Sequence, residues 1–240
     1  MAKISFIIPS YRSKEALRKN LPYLMECISV KNWDAEVIVV DDGSGDEGAT
    51  LELCAEYGCR YLGYEENKGK GYAVRTGMLE ALGEVRIFTD ADIPFETDAI
   101  ERILHYLNDK EYDLVIGDRG LEQSNYFNLI STKRRFGSGF FTFIVGRFVT
   151  TGFSDTQCGL KGFKASVAED LFGVSRINGF TFDVEILYIA LKRNYDIKRV
   201  PVTLRSQDGK SVSVLRHGLG MVLDLFRMKL NHMRGYYSRK

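Results

Sequence analysis

Two aspartates one residue apart close an apolar run in T-D-A-D-I-P, residues 89–94. Carboxylates at i and i+2 after a strand can bind one divalent cation, with water and a ligand's phosphate oxygens completing the shell. Hard oxygen donors of this kind suit Mg²⁺ or Mn²⁺. Asp is equally a turn residue, so Asp90 and Asp92 alone leave both readings open. Asp41-Asp42-Gly43-Ser44 reads as a turn or as a calcium loop, but a loop starting at Asp42 needs Gly at 47 and an acid at 53. The chain has Glu47 and Leu53, which removes calcium. In N-K-G-K-G-Y-A-V-R-T-G, residues 67–77, glycines and Lys70 stand at the start of a helical pattern. Such a helix start suits phosphate oxygens, or is simply a basic cap, and it is not the G-x-x-x-x-G-K-[ST] loop.

The elements that must position these residues alternate strand and helix. Strand-like runs cover 4–8, 36–40, 60–62, 85–89 and 113–117; helical periodicity covers 13–28, 47–57, 71–82 and 98–107. That alternation predicts a doubly wound, mainly parallel sheet with flanking helices. Ligands of such sheets sit at the carboxyl ends of the strands, where the polar loops after 8, 40, 89 and 117 would converge. Beyond residue 120 the rhythm changes. Tyr126 to Phe153 holds eight aromatics, four basic residues and no acid, the composition of an amphipathic element facing anionic groups, or of a helix with a solvated basic edge. A second amphipathic stretch runs from 215 to 233, with Leu219, Val222, Leu223, Phe226 and Leu230 on one face.

Charge and cysteine usage bound the class. The net charge of +1 conceals +7 from Arg199 to Lys240, leaving −6 for the rest. Cys27, Cys54, Cys59 and Cys158 show no C-x-x-C spacing, so neither a zinc site nor a disulfide framework is indicated. The three histidines match no catalytic pairing. No apolar run approaches the roughly 20 residues of a membrane span, and the first residues read as a strand rather than a targeting segment. The expected setting is cytoplasmic and peripheral to the cytoplasmic membrane face. Each basic residue near an anionic bilayer contributes about 1 kcal/mol. Nucleic acid is not expected as a partner, because the aromatics follow helical spacing rather than forming a stacking platform.

Six stretches together resemble a known family: I-I-P-S-Y-R, V-I-V-V-D-D-G-S, N-K-G-K-G-Y-A-V-R-T-G, T-D-A-D, S-D-T-Q-C-G-L-K-G-F and G-F-T-F-D-V-E-I-L. They are similar to family 2 glycosyltransferases of the GT-A fold, and within these to the dolichyl- or polyprenyl-phosphate sugar synthases, particularly the dolichyl-phosphate beta-glucosyltransferase type. The resemblance implies a catalytic domain over 1–212, with 120–153 as its acceptor- or membrane-facing segment, followed by a basic helix over 213–240. It implies Pro9 and Tyr11 lining a nucleobase pocket, Asp41 or Asp42 accepting from base or ribose, and Lys70 and Arg75 near the donor phosphates. Asp90 and Asp92 would hold the metal, and Arg119 would face the reacting phosphate. Asp155 and Gln157 would border the sugar, as would Asp183, which is placed with Asp92 and Arg119 among the catalytic residues. Arg205 and Lys210, with Arg134 and Arg135, would meet the acceptor phosphate.

The expected reaction is metal-dependent, inverting transfer of a hexose from a nucleotide-diphosphate sugar to a polyprenyl or dolichyl phosphate. Family members often read Pro-x-Tyr-Asn-Glu at the first loop, where this chain has Arg12 and Ser13. The mannosyl branch often has Gln where Pro94 stands, so a UDP-sugar is favoured over GDP-mannose. Two other readings are kept. In one the acceptor is a glycan or protein hydroxyl with Asp183 or Glu185 as base; in the other the chain is a non-catalytic binding module. The oligomeric state, a homo-oligomer included, is left open.

Overall fold

A computed structural model of the chain describes residues 3–124, 153, 155–205 and 214–238. Its strands are β1 (Ile4–Ser10), β2 (Ala35–Asp42), β3 (Arg60–Tyr64), β4 (Val85–Thr89), β5 (Leu114–Asp118), β6 (Leu160–Lys164) and β7 (Ile197–Pro201). The described helices, numbered in chain order, are α1 (Lys14–Val30), α2 (Ala49–Glu56), α3 (Lys70–Glu80), α4 (Thr97–Asn108), α5 (Ala165–Phe172), α6 (Phe182–Lys192) and α7 (Val214–Met233).

The seven strands form one sheet in the order β3-β2-β1-β4-β6-β5-β7. β1 pairs in parallel with both β2 and β4, and β5 with β7, while β6 runs antiparallel between β4 and β5. Residues alternate between two cores. Ile7, Ile38, Val40, Phe88, Ile116 and Phe163 face a core shared with α3, α5, α6 and α7. Phe6, Ile8, Val37, Val39, Ile87 and Val115 face one shared with α1, α2 and α4. Both faces are therefore covered, which is why the strands read as continuous apolar runs. The mainly parallel, doubly wound sheet matches the expectation.

Sequence periodicity did not foresee β6 and β7, and β6 explains why. Its sequence L-K-G-F-K carries a lysine at the sheet centre, opposite Phe88 and Ile116, and a glycine under α4. Neither residue belongs to a strand pattern. α7 joins the α3-side core through Met221, Leu225 and Met228, so that core runs continuously across the boundary expected at 212.

Candidate active site

The Asp90-Asp92 turn leaves the end of β4. The Ile93 N–H donates to the Asp90 carbonyl at 2.9 Å, closing the turn, and Ile93 is buried with φ +39°. A β-branched residue there is uncommon and must be held by its surroundings. The hold comes from 203–205, which pairs with the turn like a short antiparallel strand. The Glu96 N–H donates to the Thr203 carbonyl at 3.0 Å, Phe95 bridges Leu204, and the Arg205 N–H donates to the Pro94 carbonyl at 2.7 Å. The Arg205 guanidinium adds bonds to the Ile93 carbonyl at 3.1 Å, the Asp92 carbonyl at 3.4 Å and Asn20 Oδ1, and lies 4.2 Å from the Tyr23 ring centre. Arg205, expected at the acceptor phosphate, is here the brace of the aspartate turn.

Lys70 opens α3, and its ammonium lies 2.6 Å from Asp90 Oδ1. Burial works against that charge, but Asp90 and Asp183 outweigh it and raise the lysine above its usual value. Asp92 is pushed up by burial and then by the neighbouring Asp90 charge. Behind Asp90 stands Gly159, where a Cβ would lie 2.0 Å from Asp90 Oδ2. The carboxylate occupies the space that a side chain would fill.

Asp183, at the start of α6, is fully buried and ion-paired with Lys161 at 2.6 Å, and the Lys161 ammonium also donates to the Cys158 carbonyl at 2.7 Å. Burial pushes the Asp183 carboxyl up, with Lys161 and Lys70 opposing. Nearer β5, Arg119 grips Asp155 through Nε at 2.6 Å, Nη2 at 2.7 Å and its own N–H at 3.0 Å. Burial alone would raise Asp155, yet Arg119 holds it below the ordinary carboxylate value. Asp92, Asp90, Lys70, Asp183, Lys161, Asp155 and Arg119 thus form a row in which Lys70 acts also on Asp183 and Lys161 also on Asp155. Within the row four acids face three bases, leaving one negative charge.

The remaining expected residues build the walls. Asp42 accepts from Asn67 Nδ2 at 2.9 Å and from the N–H groups of Lys68 at 2.7 Å and Gly69 at 2.9 Å. Asp41 accepts from the Ser44 N–H at 3.2 Å and hydroxyl, and from Tyr61 at 3.2 Å. Both carboxylates are buried; Asp41 ties Ser44 of the 42–44 loop to Tyr61 on β3, and Asp42 fastens that loop to the 65–69 loop. Gly43 makes that approach possible: its φ is +69°, and a Cβ would meet Asn67 N at 2.6 Å. Tyr11 stands exposed just past β1, and Pro9, next to last in the strand, is half-buried. Arg75, expected near donor phosphates, donates to the Ser175 carbonyl at 3.1 Å and Asn178 Oδ1 at 2.9 Å. The Asn178 carbonyl in turn accepts from the Gly71 N–H at 2.7 Å, capping the helix of Lys70.

Glu185 is buried and accepts from the Arg176 N–H at 3.0 Å, the Ile177 N–H at 2.8 Å and the Tyr237 hydroxyl. It is a clasp on the 175–178 loop. Gln157 is half-buried beside Asp155 in sequence, and Arg134, Arg135 and Lys210 lie outside the described residues. Sequence reasoning missed Gly159 and Lys161. The signal for Lys161 was present, since a lysine between apolar neighbours in C-G-L-K-G-F needs a buried acid as partner.

Among the described residues no group of three or more His, Cys, Asp or Glu forms a metal cage. Two adjacent carboxylates, one of them a third exposed and already drawing an ammonium, fit a cation whose other ligands come from a bound phosphate.

The family model of Glycosyl transferase family 2 matches residues 5–172. A dolichyl-phosphate beta-glucosyltransferase of Dictyostelium discoideum is 30% identical over 99% of this chain and 77% of that protein. One of Drosophila melanogaster is 32% identical over 97% of this chain and 76% of that protein. Glucosyl-3-phosphoglycerate synthase of Mycobacterium tuberculosis, solved with Mn²⁺, UDP and glucosyl-3-phosphoglycerate, superposes with a TM-score of 0.67 at 17% identity, covering 96% of this chain and 79% of that one. Mannosyl-3-phosphoglycerate synthase of Rubrobacter xylanophilus gives 0.68 at 15% identity, covering 97% and 74%. At such identities these two structures establish the GT-A fold.

Proposed function

The protein belongs to glycosyltransferase family 2, and from that premise we propose that it moves a hexose from a UDP-sugar such as UDP-glucose to a polyprenyl or dolichyl phosphate at the membrane surface, with inversion at the anomeric carbon. The observation that carries the acceptor class is the state of the buried acids. A hydroxyl acceptor needs a base, but Asp183 is locked to Lys161, Glu185 to two backbone N–H groups, and Asp155 to Arg119. A phosphate acceptor needs none, because its second pKa of about 6 leaves it largely ionised near neutral pH. Its oxygen forms the bond to the anomeric carbon as the bond to the donor diphosphate breaks. The electron pair leaves with the nucleoside diphosphate, and no proton has to move.

Asp90 and Asp92 would hold Mg²⁺ or Mn²⁺, which when bound neutralises charge growing on the departing diphosphate. Lys70 supplies a fixed positive charge at the same place, on the first turn of α3 where phosphate oxygens are favoured. Tyr11 and Pro9 are the wall for the base. Arg119 carries positive charge at the carboxyl end of β5, oriented by Asp155. Arg134, Arg135 and Lys210 remain the residues proposed for the acceptor phosphate. Asp183, expected to act on substrate, is in this reading a positioning residue: buried against Lys161, it contributes field at Lys70.

The test is a screen of UDP- and GDP-sugars against detergent-dispersed polyprenyl phosphate with Mg²⁺ or Mn²⁺, reading lipid-linked sugar. Lipid-linked glucose from UDP-glucose, lost in Asp92→Asn, is the expected result. Transfer to a soluble glycan but not to the lipid would overturn the acceptor, and full turnover by Asp92→Asn would overturn the metal role.

A further inference from the structure

α7 carries two apolar faces where one would be enough to pack it. Met221, Leu225 and Met228 are buried against the sheet-side core. On another side Leu223 is 56% exposed, Phe226 68%, Leu230 43% and Met233 82%. At 3.6 residues per turn these four fall within an arc of about 80°. The same geometry puts exposed Arg227 and Arg234 along one border of the stripe, Arg227 pairing with Asp224 at 3.0 Å, and Lys229 along the other, its ammonium 4.8 Å from the ring centre of buried Tyr188. From residue 214 to 240 there are six Lys or Arg against one acid, Asp224. A row of large exposed side chains of this extent marks an interaction surface rather than the scattered apolar residues of an ordinary exterior.

We propose that this face of α7 lies in the interface of an anionic lipid bilayer, with Leu223, Phe226, Leu230 and Met233 among the acyl chains and Arg227 and Arg234 at the headgroups. The proposal rests on the lipid-phosphate reading above for its biological partner, and names the surface by which the protein meets it. Charge selects the occupant. Arginines bordering an apolar stripe match an anionic surface, and their stems extend apolar contact while the charged heads reach the phosphates. Two copies meeting through the same face would instead bring the two basic borders together. No helix among the described residues is long and apolar enough to cross a membrane.

The face is also joined to the site. Just past α7, Tyr237 donates to Glu185, which holds the Arg176 and Ile177 N–H groups of the loop capping α3. Arg176 stacks 3.9 Å from the Tyr236 ring centre. Between that loop and α7 lies a cavity of about 510 Å³ bordered by Arg176, Asn178, Asp224 and Arg227. Docking through the stripe therefore brings the bilayer against the side of the molecule that supports Lys70.

Flotation of the full chain with phosphatidylcholine vesicles, with and without phosphatidylglycerol, tests the proposal. The expected result is binding that requires phosphatidylglycerol, weakens with salt, and falls about tenfold or more in Phe226→Ser/Met233→Ser. Both side chains are exposed, so the thermal midpoint of that variant should match wild type. Arg227→Gln/Arg234→Gln should lose the preference for anionic vesicles. Wild-type flotation by the double serine variant overturns the proposal, as does absence of flotation. A concentration-dependent dimer that the serine variant abolishes would assign the face to a second copy and also overturn it. Transfer to detergent-dispersed acceptor separates the two readings. Activity there without vesicle binding sinks the docking face alone, and vesicle binding without transfer from any donor sinks the enzymatic reading alone.

Discussion

Gly159→Ala isolates the carboxylate turn from the rest of the fold. The added Cβ would stand 2.0 Å from Asp90 Oδ2 and 2.6 Å from its Cγ, whereas ordinary contact begins at 3.4 Å. The carboxylate must therefore retreat by about 1.4 Å, the difference between those two distances. Gly159 is not in the left-handed region, so alanine brings no backbone penalty of its own. Asp90 is partly exposed and can rotate, which predicts a stability change within about 1 kcal/mol. Its rotation leaves both the Lys70 ammonium and the position of the cation. Displacements near 1 Å in a positioned group cost on the order of 100-fold, so kcat/KM should fall by about that factor, equal to about 2.7 kcal/mol. Mn²⁺ affinity read by electron paramagnetic resonance should fall with it. Gly162→Ala is the control: its Cβ would meet Ile103 Cγ2 at 2.3 Å on the α4 side. Overpacking there costs about 1–3 kcal/mol of stability and should leave Mn²⁺ binding unchanged. Wild-type Mn²⁺ affinity and turnover in Gly159→Ala would refute the assignment of Asp90 as a ligand held in place by the missing side chain.

Two further outcomes concern the row behind the turn. Lys161→Met leaves Asp183 buried without its cation and should cost about 3–5 kcal/mol in urea denaturation, much of it regained when Asp183→Leu is added; an unchanged midpoint in the single variant would contradict the buried pair. Arg119→Gln should cost about 2 kcal/mol at neutral pH. Because Arg119 lowers the folded-state pKa of Asp155 below 3.8, its stabilisation is present above the unfolded value and lost as pH falls through the folded one. The gap between wild type and variant should therefore narrow below that pH, and a gap that stays constant into acid would point to packing instead of charge.

What the sequence exposed and what it hid divide along a physical line. Strands buried on both faces and helices with one buried face announce themselves by period, so β1 to β5 and α1 to α4 were legible within a few residues. The aspartate pairs were legible as polar loops, because strand ends at one sheet edge must converge. Their partners were not. Asp42 is held by N–H groups 26 and 27 residues away, and Asp183 by a lysine in the middle of a strand. No local pattern predicts which of two acids at a strand end turns inward, since that choice depends on which donors the fold brings near. In the 215–233 stretch the period was right, since Leu223, Phe226 and Leu230 share a face, but that face is exposed and Met221, Leu225 and Met228 make the buried one.

Arg205 shows how a basic residue can take its partners from inside the fold. As a basic residue in R-S-Q-D-G-K-S it reads as a phosphate ligand, yet its guanidinium is engaged by the backbone of the aspartate turn. That engagement fixes where the following segment starts. The side chain that touches the Asp92 carbonyl thus also anchors the segment proposed to receive the acceptor phosphate. Loosening that brace would shift the turn, through left-handed Ile93, and the root of the basic segment together.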